Sequence, residues 1–141
     1  TEHTNPVEVA ILHAKLKICE DELDARQRVA EEYGRQIDAA GLPLTVPLIP
    51  DGFMSAWAQY SVVAETATDR EKLLQRLSSA GVPTAIYYPR PLHLQPAFAS
   101  LGHKEGDFPV SESLCERIFS LPMHPYLDKA AIARVIAAMR N

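Results

Sequence analysis

Tyr88, Arg90, His93 and Gln95 fall within one short run, Tyr87-Tyr88-Pro89-Arg90-Pro91-Leu92-His93-Leu94-Gln95-Pro96. Three prolines stiffen it. Proline fixes φ near about −65°, so such a loop loses less entropy when it presents side chains to a ligand. A phenol, a guanidinium, an imidazole and a carboxamide supply donors, acceptors and one permanent positive charge. That set suits binding of a polyhydroxylated or phosphorylated ligand. On residue types alone, a rigid surface loop with incidental polar groups accounts for the run equally well.

A second run, Leu121-Pro122-Met123-His124-Pro125-Tyr126, reads as structural. Its prolines bracket a strand-to-helix turn that His124 and Tyr126 can cap. Elsewhere, no glycine-rich phosphate loop, paired metal-ligand spacing or nucleophile motif is present. Lys15, Lys17, Lys72, Lys104 and Lys129 all sit in polar or helical settings, without the desolvation that makes an amine nucleophilic. The residues point to a chain that binds but does not catalyse by itself.

The elements that must position the first run can be read from periodicity. Asn5 as cap, Pro6 in the first turn and Glu8 reaching back open a long helix. Leu12, Leu16, Cys19, Leu23, Ala30, Tyr33 and Ile37 form its apolar stripe, and Gly41 ends it. Opposite lie Glu20, Asp21, Asp24, Arg28, Glu31, Glu32 and Arg35, a solvated face. A straight helix over residues 6–40 is roughly 50 Å long, against a radius of gyration of about 14 Å for a compact domain of this size. The helix therefore kinks or projects beyond its own domain.

Residues 56–64 (AWAQYSVVA) read as a strand. Thr68 and Glu71 form a capping box for a helix carrying Leu73, Leu74, Leu77 and Ala80, which Gly81 stops. Residues 84–88 are expected as a second strand. Pro89 to Phe108 is a long irregular segment, a length that points to function. A helix follows from Pro109 with Val110, Leu114 and Ile118 inward, then a short strand near Phe119. Asp128 caps a last helix with Ile132, Val135, Ile136 and Met139 on its apolar face. The expected fold class is α+β, a small mainly antiparallel sheet packed against helices with the long helix at its edge. Residues 1–41 are the long helix and 42–141 the α+β domain.

Composition narrows the function classes. The chain has 141 residues, a net charge of −4 and 47% hydrophobic residues, so a modest core is available and a basic nucleic-acid module is excluded. No apolar run is long enough for a membrane span, and no signal peptide opens the sequence. Cys19 and Cys115 fall on apolar helix faces and are expected to be buried, reduced thiols, which fits a cytoplasmic protein.

Both distinctive runs, within GVPTAIYYPRPLHLQPAF (residues 81–98) and FPVSESLCERIFSLPMHPYL (residues 108–127), closely resemble the DegT/DnrJ/EryC1/StrS family of sugar aminotransferases. SAWAQYSV (residues 55–62), AILHAKL (residues 10–16) and DELDARQRVAEEY (residues 21–33) extend the resemblance over nearly the whole chain, in order. The resemblance implies the C-terminal small domain of a fold-type I enzyme. In that family a preceding large domain holds pyridoxal phosphate, its Schiff-base lysine and the acid that pairs with the pyridine nitrogen. Subunits form homodimers, and an amino group passes, typically from glutamate, to a nucleotide-linked keto sugar.

The implied contribution of this chain is substrate contact by Tyr88, Arg90, His93 and Gln95, with no catalytic, cofactor-binding or metal-binding residue. The implied partners are the large domain, a nucleotide-sugar substrate and a second subunit. Four positions depart from the family. An apolar residue is usual where Arg90 stands, and Thr1, His3 and Asn5 occupy positions that usually hold Asn, Arg and an acid. Two alternatives stay open. One is a non-catalytic nucleotide-sugar-binding or dimerisation module. The other is a dehydratase of the same family, distinguished by a residue outside this chain.

Overall fold

The computed structural model describes residues 5–140. Thr1 and His3 therefore lie outside the described residues. The elements run in the order α1 (Pro6–Leu16), α2 (Cys19–Ala39), β1 (Leu44–Thr45), β2 (Tyr60–Ala64), α3 (Ala67–Ser79), α4 (Pro109–Arg117), β3 (Ile118–Leu121) and α5 (Lys129–Arg140). Two 3-10 turns, Leu92–Leu94 and Pro96–Leu101, occupy the long connection between α3 and α4. The expected α+β class is the observed one.

The expected long helix is interrupted at Lys17 and Ile18. The Ile18 N–H bonds the Lys15 carbonyl at 3.2 Å, a tightened final turn, before α2 begins. Asn5 caps α1 as expected, its Oδ1 accepting from the Val7 N–H at 3.0 Å. The apolar stripe changes character along its length. Ala30, Tyr33 and Ile37 are buried, whereas no residue of α1 is, and Leu12 and Leu16 stand exposed. Cys19, at the start of α2, is exposed and Cys115 half-buried, which corrects the expectation of two buried thiols; both are free. The stripe meets the core only where α2 runs alongside α5 and the sheet.

The three strands form an antiparallel sheet in the order β1-β2-β3. Tyr60 pairs with Leu121 and Val62 with Phe119, so these four side chains share one face. They enter a single core with Tyr33 and Ile37 of α2, Leu73 and Leu77 of α3, and Ile132, Val135, Ile136 and Met139 of α5. On the other face Ser61 and Ser120 face one another, their hydroxyls 2.8 Å apart.

β2 starts at Tyr60 and not at Ala56. Trp57 adopts φ 47°, which breaks the extended path. Arg26 Nη1 takes its carbonyl at 3.0 Å and its indole N–H donates to Gln27 Oε1 at 2.6 Å. Residues 84–88 form no strand. Only Ala85 bridges, to Ser120, because the flanking Pro83 and Pro89 cannot donate to a ladder. The cap of α3 lies at Thr66 and Asp69, two residues before the expected box: Thr66 Oγ1 accepts from the Asp69 N–H at 3.1 Å and donates to Asp69 Oδ2 at 2.6 Å. Asp128 caps α5 as expected, accepting from the Ala131 N–H.

Arginines tie the helix ends together. Arg70 Nη1 donates to the Cys115 carbonyl at 2.7 Å and Arg76 Nη1 to the Met139 carbonyl at 2.9 Å. Each cation thus meets orphan carbonyls at a helix C-terminus. Among the described residues no helix is long and apolar enough to cross a membrane.

Candidate ligand-facing loop

The segment carrying the four candidate residues leaves the sheet at Ala85, whose N–H and carbonyl exchange bonds with Ser120 at 3.2 and 2.8 Å. Pro91 is buried and anchors the first 3-10 turn, its carbonyl accepting from the Leu94 N–H at 3.0 Å. Gln95 Nε2 then donates back to the Arg90 carbonyl at 3.1 Å. This bond closes the run on itself and fixes the backbone from which the Arg90 side chain projects.

The four residues separate into two kinds. Tyr88 and Arg90 are exposed. His93 turns inward, with its side chain only 8% exposed and Nε2 2.9 Å from Glu112 Oε1. Its ring lies 4.7 Å from that of Phe108, and His103 meets Phe108 from a second side at 5.0 Å. The fold thus brings Tyr88 and Arg90 to the surface and uses His93 and Gln95 within the loop's own bonding.

Glu112 is the residue that sequence reasoning passed over. It lies in the first turn of α4 and accepts from the Gly106 N–H at 3.0 Å, the Phe108 N–H at 3.2 Å and His93. The Gly106 bond above all, then the Phe108 N–H and His93, hold its carboxyl below the usual range, against the opposing effect of partial burial. An acid placed just after Pro109 is the sequence signal for this role, since a helix N-terminus favours negative charge. Nothing in sequence spacing links it to His93, nineteen positions earlier.

An open groove of about 660 Å³ runs beside the loop, lined by Tyr88, Leu92, Phe108, Val110, Leu114 and Ile118 among others. Val110, expected inward, is 73% exposed because it sits at this groove's edge. The second run from the sequence is structural as expected. Tyr126 N–H donates to His124 Nδ1 at 3.2 Å, and the Tyr126 hydroxyl donates to Glu22 Oε1 at 2.6 Å, tying the turn to α2.

The residues described do not fit a Schiff-base site for pyridoxal phosphate. All five lysines are exposed, and none sits in a closed apolar site of the kind a Schiff-base amine needs. No group of three or more metal-ligating side chains gathers among the described residues. Of the four candidate residues, Tyr88 and Arg90 are the ones whose polar groups stand exposed.

The comparisons agree with the resemblance in the sequence. A UDP-2-acetamido-2-deoxy-3-oxo-D-glucuronate aminotransferase of Pseudomonas aeruginosa is 41% identical over 135 residues, covering 96% of this chain and 35% of that protein. The crystal structure of a DegT DnrJ EryC1 StrS aminotransferase from Brucella abortus superposes with a TM-score of 0.82 at 45% identity, covering 93% of this chain and 34% of that one. DesV of S. venezuelae, solved in complex with a ketimine intermediate, superposes with a TM-score of 0.83 at 32% identity, over 93% and 34% of the two chains. The chain therefore spans about a third of the length of the curated relatives it matches. The model of the DegT/DnrJ/EryC1/StrS aminotransferase family matches residues 4–140, and the chain belongs to that family.

Proposed function

We propose that this chain is the substrate-facing small domain of a pyridoxal-phosphate-dependent aminotransferase that passes an amino group from glutamate to a nucleotide-linked keto sugar. The observation that carries the reading is the loop geometry. Tyr88 and Arg90 point outward from a backbone held behind them by the Gln95–Arg90 and His93–Glu112 bonds. A guanidinium on a fixed backbone pairs with a diphosphate, and a phenol bonds a hydroxyl. The relative from P. aeruginosa carries a UDP-sugar in its name, which favours that ligand class.

In this reading residues 1–41 link a large domain to the α+β domain of residues 42–141. The cofactor and its lysine belong to the large domain, and subunits pair as homodimers. Two free cysteines, one of them exposed, suit the reducing cytoplasm. When bound, the cofactor supplies an electron sink for amino transfer; this chain's residues bind and orient the sugar nucleotide.

The test is a titration of the chain with UDP-N-acetylglucosamine, followed by backbone NMR, together with gel filtration after incubation with pyridoxal phosphate. The expected result is shifts at Tyr88 and Arg90 and no cofactor absorbance retained. Retained absorbance would place a cofactor lysine in this chain and overturn the reading.

The exposed side chains of α1 favour a second reading, a dimerisation module without catalysis. Val7, Ile11, Leu12 and Leu16 are all exposed, and apolar side chains gathered on one exposed helix are normally covered by a partner. Sedimentation of the chain as a strict monomer counts against it.

A further inference from the structure

Two apolar surfaces of this chain lie uncovered, and they are far apart in sequence. One is α1. None of its residues is buried, and Val9, Leu12 and Leu16 are 48, 59 and 70% exposed. Their spacing of three and four puts them on one stripe, bordered by His13 and Lys17. Val7 and Ile11, also exposed, lie on the opposite side of the same helix. The other surface is the open groove of about 660 Å³ between residues 88–92 and α4. Leu92, Phe108, Val110 and Leu114 are among its lining residues, and the first three stand exposed.

The two surfaces match in form. A helix that is apolar on opposite sides is covered better between two walls than on a flat face. Anchors at i, i+3 and i+7 are the pattern with which helices enter hydrophobic grooves, and Val9, Leu12 and Leu16 have it. The 11 residues of α1 span about 16 Å, close to the length of α4, which forms one wall.

They also match in charge. His13, Lys15 and Lys17 stand exposed at the end of α1. Asp107 lines the groove, and residues 104–116 carry Glu105, Asp107, Glu112 and Glu116 against a single lysine, Lys104. Glu8, at the start of α1, is opposite in sign to Arg90 on the other wall. Within one chain α1 is tied to the start of α2, with Lys15 Nζ 3.8 Å from Glu22 Oε1, and its own groove stays open.

We propose that α1 of one copy docks in the groove of a second copy. Val9, Leu12 and Leu16 pack against Phe108, Val110 and Leu114, and the basic end of α1 meets the acids of residues 104–116. The contact is heterologous. It closes when each copy gives its α1 to the other, and otherwise extends into longer assemblies. It also brings a second copy beside Tyr88, which lines the same groove. The proposal rests on the dimerisation reading, for which it names the receiving surface, and not on the nucleotide-sugar reading.

Leu12→Asp removes the helix side of the contact and Val110→Asp the groove side, each by placing a charge against apolar surface. Both replace exposed residues, so both variants are expected to fold, which circular dichroism checks. Leu12→Gln and Val110→Gln give the same comparison if an aspartate disturbs the fold. Sedimentation velocity at increasing concentration reads the association. Wild type is expected to associate, and each variant alone to do so at least roughly tenfold more weakly. In an equimolar mixture, Leu12→Asp still offers an intact groove and Val110→Asp an intact α1. The mixture is expected to form a pair that neither variant forms alone.

A wild type that stays monomeric overturns the proposal and leaves both surfaces to a partner other than this chain. Val110→Asp associating as tightly as wild type also overturns it, because the association then passes through α1 alone; the dimerisation reading survives that outcome without the groove. A mixture that associates no more tightly than its components overturns the pairing of helix with groove.

Discussion

Tyr33 and Tyr60 stack in the core with ring centroids 4.9 Å apart and planes 21° from parallel, joining α2 to the central strand. Both are almost fully buried, and the Tyr33 hydroxyl donates to the Pro122 carbonyl at 2.9 Å. One side chain thus connects the helix, the sheet and the turn that leads to α5. Tyr33→Phe keeps the stack and removes only that bond. The expected cost is about 1 kcal/mol, a fall of roughly 4 °C in melting temperature for a chain of this length. Urea denaturation monitored by circular dichroism checks it. An unchanged midpoint would mean that water satisfies the Pro122 carbonyl as well as the phenol does.

The same pair is expected to limit the fold at alkaline pH. Burial pushes the Tyr60 phenol up to about 12, and burial, with the neighbouring Tyr60, raises Tyr33 further. An unfolded tyrosine ionises near about 10. The protonated phenols are favoured by the folded state, so their contribution is fully present below the unfolded pKa. It is lost as pH rises from there through the folded values. Stability is expected to fall steeply above pH 10, with these two tyrosines ionising only as the protein unfolds. Absorbance at 295 nm and circular dichroism, recorded together against pH, test the coupling. Ionisation of all five tyrosines in the native state would refute it.

Legibility in the sequence followed the range of the interactions. Asn5, Asp128 and the end of α3 at Gly81 were readable because each depends on bonds within a few residues. The buried part of the α2 stripe and the apolar face of α5 were readable from helical period. The break at Ile18 was anticipated only as one of two outcomes, since helix length against domain size does not locate it. The early turn at Trp57 depends on Arg26 and Gln27, thirty positions away, which no local pattern records. In residues 87–96 the sequence singled out four candidate side chains, but not which of them stand exposed and which are held by bonds. That division comes from Glu112, which reaches His93 only once α4 folds against the loop.

Gly81 tests backbone conformation apart from packing. It ends α3 with φ +71°, and a Cβ added there meets nothing within 4 Å. Any loss on substitution therefore comes from the left-handed backbone alone. Gly81→Ala is expected to cost about 1 kcal/mol, and Gly81→Val more, because a β-branched residue adopts this region least readily. Gly81→Asn should recover part of the loss. Equal stabilities of the three variants by thermal denaturation would mean that the chain escapes the positive φ by shifting the end of α3.

Arg90 provides the sharpest test of the loop's role. Its side chain is exposed while its carbonyl is held by Gln95, so replacing the side chain leaves the loop's internal bonding in place. Arg90→Met keeps the length and removes the charge. If the guanidinium pairs with a diphosphate, the dissociation constant for UDP-N-acetylglucosamine should rise roughly tenfold, the scale of one charge-assisted hydrogen bond. The wild-type affinity should also weaken with added salt more steeply than that of the variant, since exposed charge pairs are screened. Arg134→Met, at an exposed position of α5, controls for overall charge and should change neither quantity. Equal affinities and equal salt slopes for Arg90→Met and wild type would remove Arg90 from the ligand contacts. Tyr88 would then remain as the exposed candidate, and the polar contact would rest on hydrogen bonding instead of charge.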